Sequence, residues 1–79
     1  MSNQKKYQDI FIKSLAIDSK KFNENLKYNE ITEWDSIGHM TLISGLEEGF
    51  NISMETDDIV DFSSFQKGIE ILKKYKIKF

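Results

Sequence analysis

Seventy-nine residues with a formal charge of −2 and no cysteine make one small domain, 1–79, with room for one core and no deep catalytic cleft. The absent thiol excludes a disulfide framework and a thiolate metal site. No apolar run approaches the ~18 residues of a membrane span, and the start Met1-Ser2-Asn3-Gln4-Lys5-Lys6 lacks the apolar stretch of a signal peptide, so a soluble, cytoplasmic protein is expected.

Tyr7, Ile10, Phe11, Ser14 and Leu15 recur at helical spacing, which predicts an amphipathic helix over about 3–17, with Ile12 and Ile17 broadening its apolar stripe. Asp18 to Thr32 is a polar connector, long for so small a domain, and Phe22, Leu26 and Ile31 are expected to pin it onto the core. Trp34 then packs down and fixes the entry into the next helix. Asp35 and Ser36 follow directly, and both are good N-cap types because a short oxygen-bearing side chain accepts from the first backbone N–H groups. Ser36 therefore sits at a helix mouth with its hydroxyl outward, as a cap or as a place of modification.

The second helix is expected from Ser36 to Glu48, with Gly49 as its stop. Leu42, Leu46 and Phe50 face inward, while Ile37 and Met40 remain partly exposed. Gly38 and Gly45 each cost about 1 kcal/mol relative to Ala in a helix, which calls for a close-packing reason. Thr56 caps a short helix, and Ser63 with Gln66 matches a capping box for a last helix whose face is Phe65, Ile69, Leu72 and Tyr75. Lys73, Lys74, Lys76 and Lys78 form a solvated, dipole-compatible end. Three longer helices, one short third helix and no strand give an all-α fold, a small four-helix bundle.

Charge is unevenly divided. Nine acids (Glu30, Glu33, Asp35, Glu47, Glu48, Glu55, Asp57, Asp58 and Asp61) have no Lys or Arg among them, while the rest of the chain holds four acids and all eleven lysines. Such segregation favours a basic partner on the middle of the chain and disfavours nucleic acid, whose phosphates it would repel. Asp57, Asp58 and Asp61 lack the alternating ligands and turn glycine of a calcium loop, so no metal site is expected. His39 is the one histidine, three residues after Ser36. A Ser–His pair is geometrically conceivable, but no oxyanion loop or substrate pocket supports catalysis, and His39 is expected to face solvent or a partner.

Glu33-Trp34-Asp35-Ser36-Ile37-Gly38-His39-Met40, with Leu42-Ile43, Leu46-Glu47-Glu48 and Phe50 downstream, resembles the acyl carrier protein family over nearly the whole chain. The resemblance implies a monomeric, non-enzymatic carrier in which Ser36 bears a covalent 4′-phosphopantetheine arm that holds acyl groups as thioesters. Asp35 then matches the acid before the modified serine, serving as cap and as contact for a phosphopantetheinyl transferase. Ile37 and Met40 match apolar positions that insert into partners. Glu47 and Glu48 match acids that meet the basic docking patches of acyl-loading and acyl-transferring enzymes. Gly38 and Thr41 stand where many fatty-acid carriers have acids, which implies a specialised pathway such as surface-polysaccharide, lipid or secondary-metabolite assembly. The competing expectation is an unmodified helical interaction module with Ser36 as a simple N-cap.

Overall fold

The computed structural model describes residues 3–79; Met1 and Ser2, which open the polar N-terminal stretch, lie outside them. The first apolar stripe folds as expected into α1 (Asn3–Leu15), with Tyr7, Phe11 and Leu15 buried. Ala16 then turns left-handed at φ 53°, which ends the helix two residues early and directs Ile17 into the core. The remaining helices are α2 (Ser36–Phe50), α3 (Thr56–Asp61) and α4 (Phe65–Lys74). Among the described residues the one extended pairing is an isolated antiparallel bridge between Lys27 and Ser64. The architecture is a small all-α bundle of four helices.

α1 packs along α2, and Gly45 explains its own presence there. A Cβ at Gly45 would press on the Ser14 hydroxyl 2.5 Å away. The long connector is held as expected, with Leu26 buried and Phe22 and Ile31 packed against the core. Its second half is tied to the start of α4 by Tyr28 N–H to the Ser63 carbonyl and Phe65 N–H to the Leu26 carbonyl, both 2.9 Å. The core centre is aromatic: Tyr7 stacks on Phe65 at 4.5 Å, and Phe11 meets Trp34 edge-on at 4.9 Å. Burial pushes the Tyr7 phenol well above its ordinary range, and its hydroxyl donates to the Phe65 carbonyl at 2.8 Å.

Several local expectations are corrected. Gly49 does not stop α2; the helix continues through Phe50, and Asn51 in the left-handed region (φ 55°) ends it, its N–H returning to the Glu47 carbonyl. Phe50 is half-buried, with the Lys6 ammonium 5.0 Å over its ring. Thr56 is the first residue of α3 rather than its cap, which is Glu55. The cap of α4 is Ser64, accepting from Lys67 N–H at 3.0 Å, so the Ser63–Gln66 box is off by one residue. Gln66 instead donates to the Glu24 carbonyl. The buried face of α4 is Phe65, Gly68, Ile71 and Leu72, with Ile69 and Tyr75 half-buried.

Lys74, expected in a solvated helix end, instead pairs across the fold with a buried acid. Asp58 is 6% exposed and receives the Lys74 ammonium at 2.6 Å and the Tyr75 hydroxyl. Those bonds, Lys74 first, hold the Asp58 carboxyl below its ordinary range and Lys74 above its own. They also join α3 to the end of α4, so Lys74 is not part of a purely solvated helix end.

Candidate functional site

The mouth of α2 is built from the turn before it. Asp35 is extended (φ −102°, ψ −167°), and its Oδ1 accepts from Gly38 N–H at 2.8 Å, while its carbonyl takes His39 N–H at 2.8 Å. Asp35 is therefore the N-cap, and Ser36 is the first helical residue. That overturns the alternative of Ser36 as the cap. The Ser36 hydroxyl is exposed and lies 3.2 Å from the Tyr28 hydroxyl, which the connector's link to Ser63 holds in place. Backbone N–H groups at a helix start precede the first intrahelical bond, so this corner favours a negative charge.

Gly38 is dictated by packing. A Cβ there would run into the Glu33 carbonyl oxygen, so no side chain, acidic or otherwise, fits between the turn and the first coil of α2. On the exposed side of the first turn stand two apolar residues, Ile37 78% and Met40 53% exposed. Thr41 turns its hydroxyl back to the Ile37 carbonyl. Further along, Glu48 is exposed, whereas Glu47 is half-buried and accepts Met54 N–H at 2.8 Å. Of the two acids expected to meet partners, one is thus also a staple for the loop after α2. Glu33 is likewise engaged, with Lys21 at 2.7 Å holding its carboxyl below the ordinary range.

His39 does not face solvent. Trp34, fully buried, donates its indole N–H to His39 Nδ1 at 3.0 Å, and His39 Nε2 lies 2.8 Å from the Ile59 carbonyl. An indole N–H only donates and a carbonyl only accepts, so Nδ1 is the acceptor and Nε2 the donor in this chain of bonds. Losing either partner would leave a half-buried donor or acceptor unpaired, at a cost toward the lower end of about 1–3 kcal/mol. A ring held at both nitrogens cannot also act as the base for Ser36. The Ser–His pair fails on geometry.

A cleft of about 340 Å³ opens beside Ser36 between α2 and the α3–α4 corner. Met40, Ile59 and Val60 form its apolar wall, with the Tyr28 and Ser63 hydroxyls at its edge. Tyr28 was not singled out by the sequence, since nothing in its spacing ties it to Ser36 eight residues on. No group of three or more acidic or histidine side chains able to hold a metal occurs among the described residues, and no helix among them is long and apolar enough to cross a membrane.

The fold and this corner define a small helical protein that presents one serine at a helix mouth beside an apolar stripe. Compared with known proteins, the chain is 33% identical over 73 residues to an acyl carrier protein of Buchnera aphidicola subsp. Baizongia pistaciae, covering 91% of this chain and 92% of that one. It belongs to the acyl carrier protein family. No protein-family model matches it, and no solved structure does.

Proposed function

We propose that this chain is a non-enzymatic acyl carrier whose Ser36 is the attachment point of a 4′-phosphopantetheine arm. The observation that carries the proposal is the division of labour at the mouth of α2. Asp35 supplies the cap, which leaves the Ser36 hydroxyl exposed with no structural task beyond its contact to Tyr28. The surroundings fit the group: a phosphodiester at the first residue of α2 gains roughly 0.3–1 kcal/mol from the helix dipole, and the Tyr28 hydroxyl can donate to it. Ser36 Oγ displaces 3′,5′-ADP from coenzyme A; the new phosphodiester forms as the pyrophosphate bond breaks, and the serine proton leaves to the transferase. When bound, the arm supplies the thiol that this cysteine-free chain lacks, and with it a thioester to acyl cargo.

Ile37 and Met40 are the apolar contacts for the transferase and for enzymes that load and unload cargo, and Glu48 with the outer edge of Glu47 meets their basic patches. The packing of Gly38 against Glu33 keeps the first half of this surface uncharged. That supports service to a specialised pathway with its own partners over bulk fatty-acid synthesis. The test is intact mass after incubation with coenzyme A and a broad-specificity phosphopantetheinyl transferase. The wild-type chain should gain one arm and Ser36→Ala none; no gain on the wild type, or a gain that survives the substitution, overturns the proposal.

A further inference from the structure

The cleft beside Ser36 stops short of the core. Its inner boundary is the half-buried His39 ring and the buried Phe62 ring. Trp34 lies behind His39, stacked at 6.2 Å with the planes 20° apart. Two hydrogen bonds hold this floor shut, Trp34 Nε1–H to His39 Nδ1 at 3.0 Å and His39 Nε2–H to the Ile59 carbonyl at 2.8 Å. The second runs from α2 to α3, so the floor opens only if α3 parts from α2. We infer that the Trp34–His39–Ile59 chain is a gate that keeps short and medium acyl cargo on the outside of the bundle, with His39 as the residue that decides it. The inference rests on Ser36 bearing the arm.

The physical reason is a mismatch of chemistry. An aliphatic chain that pushed past His39 would take the indole N–H and the Ile59 carbonyl into apolar contact while offering neither an acceptor nor a donor. It would also have to separate Phe62 from Trp34, His39 and Tyr7, whose rings lie 6.5, 6.0 and 6.4 Å from it. On the near side of the gate no bond need break. Met40, Ile59 and Val60 already form an apolar wall open to solvent. Cargo held there reaches a partner's active site without being drawn out of the protein, so selection among acyl groups falls to the partner.

The experiment loads Ser36 from hexanoyl-coenzyme A with the same transferase and compares this form with the one carrying the bare arm. Thermal midpoint and the amide shifts of Leu46 and Leu72, core residues that do not line the cleft, are the readouts. A wild-type chain that gains no mass overturns the carrier reading and the gate with it. Given the mass gain, the gate requires a midpoint moved by no more than about 1 °C and unmoved core amides. His39→Ala should make both respond, with hexanoylation raising the midpoint by several degrees, and His39→Gln, which keeps an acceptor and a donor, should restore indifference. Should His39→Ala fail to fold, Trp34→Phe, which keeps an aromatic ring but removes the indole donor to His39, loosens the same floor and should respond likewise. A cargo-dependent shift in the wild type, or opened variants as indifferent as the wild type, overturns the gate alone.

Discussion

α2 and α4 are helices of one small bundle, yet they treat their apolar residues differently. In α4 Phe65, Ile71 and Leu72 are buried, Ile69 is half-buried, and the outer face is Gln66, Lys67, Glu70, Lys73 and Lys74. Folding alone accounts for every one of these placements. In α2 Leu42, Ile43 and Leu46 are buried, but Ile37 and Met40 stand in solvent one turn apart, beside Ser36 and across the cleft from Val60, which is 73% exposed. A lone exposed aliphatic is ordinary; three around one hydroxyl are not explained by the fold. The difference separates residues kept for stability from residues kept for encounter, and substitutions in the two helices should fail in different ways.

The largest effect belongs to α4. Phe65→Ala removes the ring stacked on Tyr7 and edge-on to Phe11 and Phe22 and should cost about 3–5 kcal/mol in urea unfolding. That is a large share of the roughly 5–15 kcal/mol available to a domain, so the transition should move to markedly lower urea. A cooperative transition shifted by less than about 1.5 kcal/mol, a loss small for a core ring, would show that the aromatic face of α4 is not the centre of stability.

Next come the two residues at the mouth of α2, where stability and chemistry part within one dipeptide. Asp35→Ala should cost about 0.5–2 kcal/mol, because Gly38 N–H loses its acceptor. Ser36→Ala should stay within about 0.5 kcal/mol, as expected for an exposed position with no capping bond. The reverse order in denaturant midpoints would return the cap to Ser36.

A third effect is read against pH. The Asp58 carboxyl is held below its ordinary range by Lys74 and then Tyr75, so its contribution is fully present above the ordinary carboxylate pKa. It is lost as pH falls through the lower, folded value. Lys74 and Tyr75 are both raised by the same contact, so the alkaline loss comes only above their ordinary ranges. Asp58→Asn should therefore lower the thermal midpoint at neutral pH, and its deficit relative to the wild type should shrink as the acid limb is descended. A deficit constant from neutral pH to the acid limb would mean that the carboxylate's charge is not what joins α3 to α4.

How far the sequence shows these regions depends on the range of the contacts. The four helices were legible because each buried stripe repeats within a few residues, and Leu26 and Trp34 were legible as anchors because large apolar side chains in a polar connector have few other uses. Ser36, Ile37 and Met40 could be placed on one exposed corner from helix spacing alone. Partner choice between adjacent polar residues could not: Asp35 or Ser36, and Ser63 or Ser64, differ by a backbone angle rather than by side-chain type. His39 read as facing solvent or a partner, and Asp58 as one more acid of the central cluster, because the Ile59 carbonyl and Lys74 with Tyr75 lie 16 to 20 residues away. Tyr28 was hidden for the same reason, since a bridge between Lys27 and Ser64 carries it to Ser36.

The smallest effect on stability should accompany the clearest loss of encounter. Ile37→Ala combined with Met40→Ala removes apolar surface that is already in water, so the unfolding free energy should move by no more than about 0.5 kcal/mol per site. The same pair should slow arm installation by the transferase, because side chains that fill a partner's pocket are worth upward of about 1 kcal/mol each, or roughly fivefold in kcat/KM. The loss should persist at high salt, since no charge has been altered, whereas Glu48→Lys should weaken the encounter mainly at low salt. Stability lost in step with kcat/KM would place Ile37 and Met40 with the residues of α4. Unchanged kcat/KM with unchanged stability would leave their exposure without a use and remove the contrast between the two helices.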